Sequence, residues 1–190
     1  MSMPPVAAKK PTERHFHGDL FIDNYEWFRD KTNEELLSHL EAENAWTEEQ
    51  TSHLAGLQEQ FLSELISRTQ ETDTSLPWRD GHWWYFRRTW EGKEYPALYR
   101  VPEGEGRPSF DQLDQAALVW DGNQLAEGQE FFGTSEFVVS PDGQLGALGV
   151  DFSGDEHFTV RIFRIDTGEV VDDAVVGAGY GLAWTADSTG

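Results

Sequence analysis

Cysteine is absent from this sequence. That excludes disulfide bridges, thiolate metal sites and a cysteine nucleophile, and it suits a reducing cytoplasm. Basic residues are scarce: 14 Lys plus Arg stand against 35 Asp plus Glu, a formal charge of -21. Such a field repels phosphate backbones and anionic headgroups, so neither nucleic acid nor a membrane surface is an expected partner, whereas cationic peptides are attracted. No apolar run approaches the roughly 20 residues of a membrane-spanning helix. The start, Met1 to Glu13, carries Pro4, Pro5, Lys9, Lys10 and Pro11 without the continuous apolar stretch of a secretory signal. Residues 1–16 are therefore expected to form a flexible leader on a cytoplasmic protein.

What the sequence does have is aromatic mass: 8 Trp, 12 Phe and 5 Tyr in 190 residues, too much for a chain that cannot offset its ordering entropy by burial. A helical pattern opens at Thr32, whose spacing to Glu35 is that of a capping box. Leu36, Leu37 and Leu40 give one short apolar stripe. After a break expected near Ala55 and Gly56, a second stripe runs through Leu57, Phe61, Leu62, Leu65 and Ile66, with Gln58, Glu59, Ser63 and Glu64 opposite. Two amphipathic helices are expected between residues 33 and 69.

Beyond Asp73 the period changes from 3.6 to 2. Pro77 and the Asp80-Gly81 turn precede an aromatic strand from His82 to Arg88, apolar on both faces from Trp83 to Phe86 and so expected to be covered on both sides. Glu91-Gly92-Lys93 turns it into a second strand, Tyr95 to Val101, and the Gly- and Pro-bearing stretch from Pro102 to Pro108 interrupts the sheet. Phe137 to Val139, Leu145 to Val150, Phe158 to Ile165 and Glu169 to Val171 read as four antiparallel strands. The turns Ser140-Pro141-Asp142-Gly143, Ser153-Gly154-Asp155-Glu156 and Asp166-Thr167-Gly168 join them.

A four-stranded unit of that size resembles one propeller blade. Ser140-Pro141-Asp142 returns 45 positions later as Thr185-Ala186-Asp187, each after a short apolar strand. Blades bury their faces against neighbours, and a closed ring needs at least four, more than residues 75–190 supply. The expectation is a truncated propeller.

These residues resemble a known family. His17-Gly18-Asp19, then Ile22-Asp23-Asn24-Tyr25-Glu26-Trp27-Phe28-Arg29-Asp30, is similar to the amino-terminal signature of the prolyl oligopeptidase family of serine peptidases, and Leu40-Glu41-Ala42-Glu43-Asn44-Ala45 resembles its first helix. Leu125-Ala126-Glu127-Gly128, the Ser140 turn, Gly154-Asp155-Glu156, Asp166-Thr167-Gly168-Glu169 and Ala183-Trp184 resemble, in order, blade motifs of the oligopeptidase B branch. The resemblance implies a seven-bladed propeller capping an α/β-hydrolase domain against which the amino-terminal helices pack. It also implies cleavage of short basic peptides after Arg or Lys by a Ser-His-Asp triad lying beyond this chain, so that this chain alone is inactive. The fold class expected is an α+β fragment: a leader (1–16), an extended and helical segment (17–74), and the first two to three four-stranded antiparallel blades (75–190), the last incomplete.

No residue here qualifies as catalytic. The nucleophile elbow needs Gly-x-Ser-x-Gly, and the nearest string, Gly133-Thr134-Ser135-Glu136-Phe137, puts Phe at the second Gly position. No cofactor-binding or metal residue is assigned. His15 with His17, and His39 with Glu43, are incomplete ligand sets. Asp151, Ser153, Asp155 and Glu156 lack the alternation of a calcium loop, and Glu41, Glu43, Glu48 and Glu49 read as a solvated helix face. The rival function is a noncatalytic module binding cationic peptides or glycans on exposed Trp83, Trp84, Tyr85, Phe86 and Trp90, although these suit an inter-blade core better.

Overall fold

The computed structural model describes residues 2–190. They form two compact units that divide between Thr69 and Gln70, whereas the sequence puts the boundary after residue 74.

The first unit begins with a hairpin, β1 (Thr12–Phe16) and β2 (Asp19–Asp23), paired antiparallel. Its two loop residues, His17 and Gly18, have φ of 50° and 89°, the positive values a primed two-residue turn demands. A 3-10 turn at Glu26–Arg29 leads to α1 (Glu34–Thr51), a second 3-10 turn at Ser52–Leu54, and α2 (Ala55–Arg68). The break between the helices thus precedes Ala55 and Gly56, both of which are helical.

The cap of α1 also differs from the expected one. Asn33, not Thr32, is the N-cap: its Oδ1 accepts from the backbone N–H of Glu35 and Leu36, at 2.9 and 3.4 Å. Thr32 is engaged elsewhere, its hydroxyl donating to Asp30 Oδ1 at 2.7 Å.

Several residues at the start of the described chain make hydrogen bonds within this unit. The Trp46 indole donates to Ser2 O at 3.1 Å, Ser2 Oγ donates to Glu49 at 2.7 Å, and the Trp27 indole donates to Ala8 O at 3.0 Å. Lys10 pairs with Glu35 and lies over the Trp27 ring. Backbone carbonyls that would otherwise face water are thereby satisfied by two tryptophans.

In the second unit, β3 (Asp73–Thr74) and β4 (Trp78–Asp80) lie end to end along one edge of β5 (Trp83–Thr89), which pairs on its other edge with β6 (Ala97–Pro102). Pro77, with no N–H for the ladder, separates the two short strands. Ser75 spans the gap, its N–H donating to Arg87 O and its Oγ accepting from Arg87 N, both at 2.9 Å. A short helix α3 (Phe110–Leu113) precedes β7 (Ala117–Asp121), the last strand of this sheet, and α4 (Gly122–Leu125) follows it. The second sheet runs β8 (Gly133–Val139), β9 (Leu145–Asp151), β10 (Phe158–Arg164) and β11 (Val170–Ala178), each antiparallel to its neighbour. Counting β3 with β4 as one interrupted strand, the unit is two four-stranded blades. No strand forms among residues 179–190, so the third blade is present only as its opening turn.

The aromatic strand is covered on both faces, as its composition predicts. Tyr85 joins Leu98, Val119, Phe132, Leu148, Val150, Phe163 and Ile165 in a core built from both sheets, while Phe86, wholly buried, turns the opposite way to Val101 and Leu113. Arg100 fastens the sheets together: its guanidinium lies 3.9 Å over the Trp83 ring and its Nη1 donates to Gly143 O at 3.2 Å.

The 45-residue repeat is reproduced atom for atom. Ser140 Oγ donates to Asp142 Oδ1 at 2.6 Å, Asp142 Oδ1 accepts from Gln144 N at 3.0 Å, and Leu145 N donates to Ser140 Oγ at 2.9 Å. Thr185 Oγ1 donates to Asp187 Oδ1 at 2.7 Å, Asp187 Oδ1 accepts from Thr189 N at 3.2 Å, and Gly190 N donates to Thr185 Oγ1 at 3.1 Å. Gly143 and Ser188 hold equivalent places with φ of 73° and 63°. Their hydroxyl partners hold both aspartates below the usual carboxylate range. One further bond, Asp142 N to Ser188 Oγ at 3.2 Å, ties the first turn to the second.

Candidate functional site

The polar groups that could carry chemistry are dispersed over the two units. Ser135 lies within β8, where the register against β9 shifts between Thr134 and Phe137, and its Oγ is buried without a hydrogen-bond partner. No serine hydroxyl among the described residues is bonded to a histidine, so the general-base contact of an acyl-transfer site is not assembled. His15 sits on β1 opposite Leu20, and His17 occupies the hairpin loop with its ring against Phe16. His39 lies 3.7 Å from Glu43 and stacks on Phe28. Of the carboxylates on α1, Glu49 accepts from Ser2. No group of three or more His, Asp or Glu suited to a metal ion occurs among the described residues.

Asp151 is the one buried carboxylate among the described residues, and its surroundings explain its position. At the β9–β10 turn its Oδ1 accepts from Ser153 N at 2.7 Å and Gly154 N at 3.0 Å, and its Oδ2 accepts from Glu156 N at 3.0 Å. The Ser153 N–H, with the other donors, holds its pKa below the ordinary value against the opposing effect of burial. Asp151 therefore closes an acidic turn through backbone amides.

The feature that points outward is apolar. Helix α2 buries none of its residues; Leu57, Phe61, Leu62, Leu65 and Ile66 recur along one side and are 49–65% exposed. In the hairpin, Phe16, Leu20 and Ile22 are similarly open. Burial of each such side chain is worth about 1.5–3 kcal/mol, and solvated apolar surface on this scale marks a docking face. By contrast, the aromatic strand offers no platform for sugars or peptides, since Tyr85 and Phe86 are fully buried and Trp83, Trp84 and Trp90 are partly so.

Comparison with known proteins agrees with this architecture. Residues 4–190 match the family described as the prolyl oligopeptidase N-terminal beta-propeller domain. The chain is 34% identical to dipeptidyl aminopeptidase BI of Pseudoxanthomonas mexicana, covering 97% of this chain and 27% of that protein. It is 27% identical to protease 2 of Moraxella lacunata, covering 90% of this chain and 24% of that one. Oligopeptidase B from Leishmania major superposes with a TM-score of 0.77 at 28% identity, over 97% of this chain and 28% of its own. The chain thus spans about a quarter of the length of the relatives it matches.

Proposed function

The chain belongs to the prolyl oligopeptidase family of serine peptidases through its amino-terminal β-propeller domain, and from that premise we propose that it is the access-limiting part of a cytoplasmic oligopeptidase cleaving short peptides after Arg or Lys. The observation that carries the reading is the match over residues 4–190 together with the shortfall against longer relatives. In this reading the exposed faces of α2 and of the β1–β2 hairpin dock on an α/β-hydrolase domain that supplies Ser, His and Asp, while the blades form one wall of the path by which substrate enters. The chain's own acidity, -21, draws basic peptides toward it. The missing cysteine agrees with a reducing compartment.

The name of the 34% identical relative favours a second specificity, removal of dipeptides from a free amino terminus. The two readings separate in one assay. The coding region is extended past Gly190, the product purified, and turnover compared on an amino-blocked arginyl amide and on a free dipeptidyl amide. Preference for the blocked basic substrate supports the endopeptidase; preference for the free dipeptidyl amide replaces it with the aminopeptidase. The 190-residue chain alone is expected to turn over neither, and inhibitor-sensitive activity copurifying with it would overturn the proposal.

A further inference from the structure

Strand β7 contains a bulge. Leu98 of β6 faces Trp120 and Tyr99 faces Leu118, so Val119 is the extra residue. Bulges of this kind turn two successive side chains to one face, and Val119 and Trp120 both join the core between the blades. Beside them opens a cavity of about 360 Å3, within the range of small-molecule sites. Leu118, Trp120 and Phe163 give it an apolar wall; Arg161 of β10, Asp166 of the β10–β11 turn and Gln124 of α4 give it polar groups.

Two of the charges in this cavity, half-buried Arg161 and exposed Asp166, have no ion-pair partner among the described residues. The ion pair of the β10–β11 turn is Arg164 with Glu169, at 3.5 Å. Asp121, which also lines the cavity, accepts from Asn123 N at 2.8 Å and Asn123 Nδ2 at 3.1 Å. Arg161 and Asp166 face the same space, yet they stand farther apart than the 4.0 Å of an ion pair, and neither has another side-chain partner among the described residues. A half-buried guanidinium beside an apolar wall gains from a carboxylate ligand, and a free carboxylate nearby gains from an ammonium. One molecule that satisfies both while filling an apolar cavity is a zwitterion with an apolar side chain.

We infer that the space between the first two blades binds a free apolar α-amino acid, its carboxylate on Arg161, its ammonium toward Asp166, and its side chain against Leu118, Trp120 and Phe163. The inference does not depend on the peptidase specificity. It is tested on the full chain by titrating L-phenylalanine against uniformly 15N-labelled protein and following amide shifts of β10 and α4. Saturable shifts are expected with L-phenylalanine, and much weaker ones with phenylalaninol, which lacks the carboxylate, and with 3-phenylpropionate, which lacks the amine. Arg161→Gln should weaken binding by about tenfold or more, the scale of a charge-assisted hydrogen bond, and Asp166→Asn by less. No saturable shift with L-phenylalanine or L-leucine overturns the proposal. So does equal binding of L-phenylalanine and 3-phenylpropionate, a comparison that needs no variant to fold.

Discussion

Helix α2 and strand β5 carry comparable apolar content and meet opposite fates. In β5, Tyr85 and Phe86 point to opposite sides and both are buried, Tyr85 against the neighbouring blade and Phe86 beneath Leu113 of α3. In α2 a stripe of equal hydrophobicity remains in water. A blade finds its neighbour a few dozen residues along the same chain; a lone helical stripe needs a surface from elsewhere. Amphipathic periodicity therefore reports that a face is meant to be covered, and topology decides whether the same stretch of sequence covers it.

Substitutions can break that contrast. The largest effect is expected for Phe86→Ala, about 3–5 kcal/mol of lost stability from the cavity left in a closed core, against less than about 0.5 kcal/mol for Phe61→Ala on α2. Urea unfolding of both variants checks this, and equal losses would mean that α2 is packed after all.

Glycines sharpen the comparison. A Cβ on Gly146 would lie 2.6 Å from Phe137 Cε2 and 3.1 Å from Phe163 Cζ, whereas one on Gly56 meets nothing within 4 Å. Gly146→Ala should cost about 1–3 kcal/mol by overpacking. Gly56→Ala, at a helical site, should instead stabilise by about 0.4–1 kcal/mol. Thermal unfolding of the pair reads the opposite signs.

Acid should act mainly on the blades, where Asp142, Asp151 and Asp187 all have lowered pKa values. A carboxylate depressed in the folded state adds stability that is complete above its unfolded pKa, about 3.9, and disappears as pH falls through the folded value. The thermal midpoint should therefore hold from neutrality to about pH 5 and drop below about pH 4. Asp151→Asn should shallow that drop; an unchanged acid profile would show that these turns do not control it. The smallest effect on the isolated chain is expected for Leu65→Gln, near zero in stability, with a measurable loss of affinity for the proposed hydrolase domain when the two are mixed.

Much of the fold was legible in the sequence because its signals are local. The 2-period of Trp83 to Phe86, the 3.6-period of Leu57 to Ile66 and the Ser140 and Thr185 turns each depend on residues a few places apart. The hydrogen bonds made at the start of the chain were not legible, since their acceptors are the carbonyls of Ser2 and Ala8, which every residue possesses, and only the fold brings Trp46 and Trp27 to them. The bulge at Val119 was hidden for a related reason: register belongs to a pair of strands, and β7 alone does not state how it meets β6. The placing of Arg161 and Asp166 on one cavity was equally invisible, because it depends on how the β10–β11 hairpin lies against β7. The Asn33 cap was within reach, as Asn competes well with Thr for that position.

The matched turns at Ser140 and Thr185 have a consequence for how blades of this kind can change over time. Each is a self-sufficient clip whose hydroxyl, carboxylate and amides answer one another within six residues. From outside the clip come bonds to the first turn, among them Asp142 N to Ser188 Oγ and Arg100 Nη1 to the backbone carbonyl of Gly143. Exchanging residues 140–145 with 185–190 should leave both corners intact, so blades joined this way can be duplicated, swapped or lost without redesigning the hinge between them.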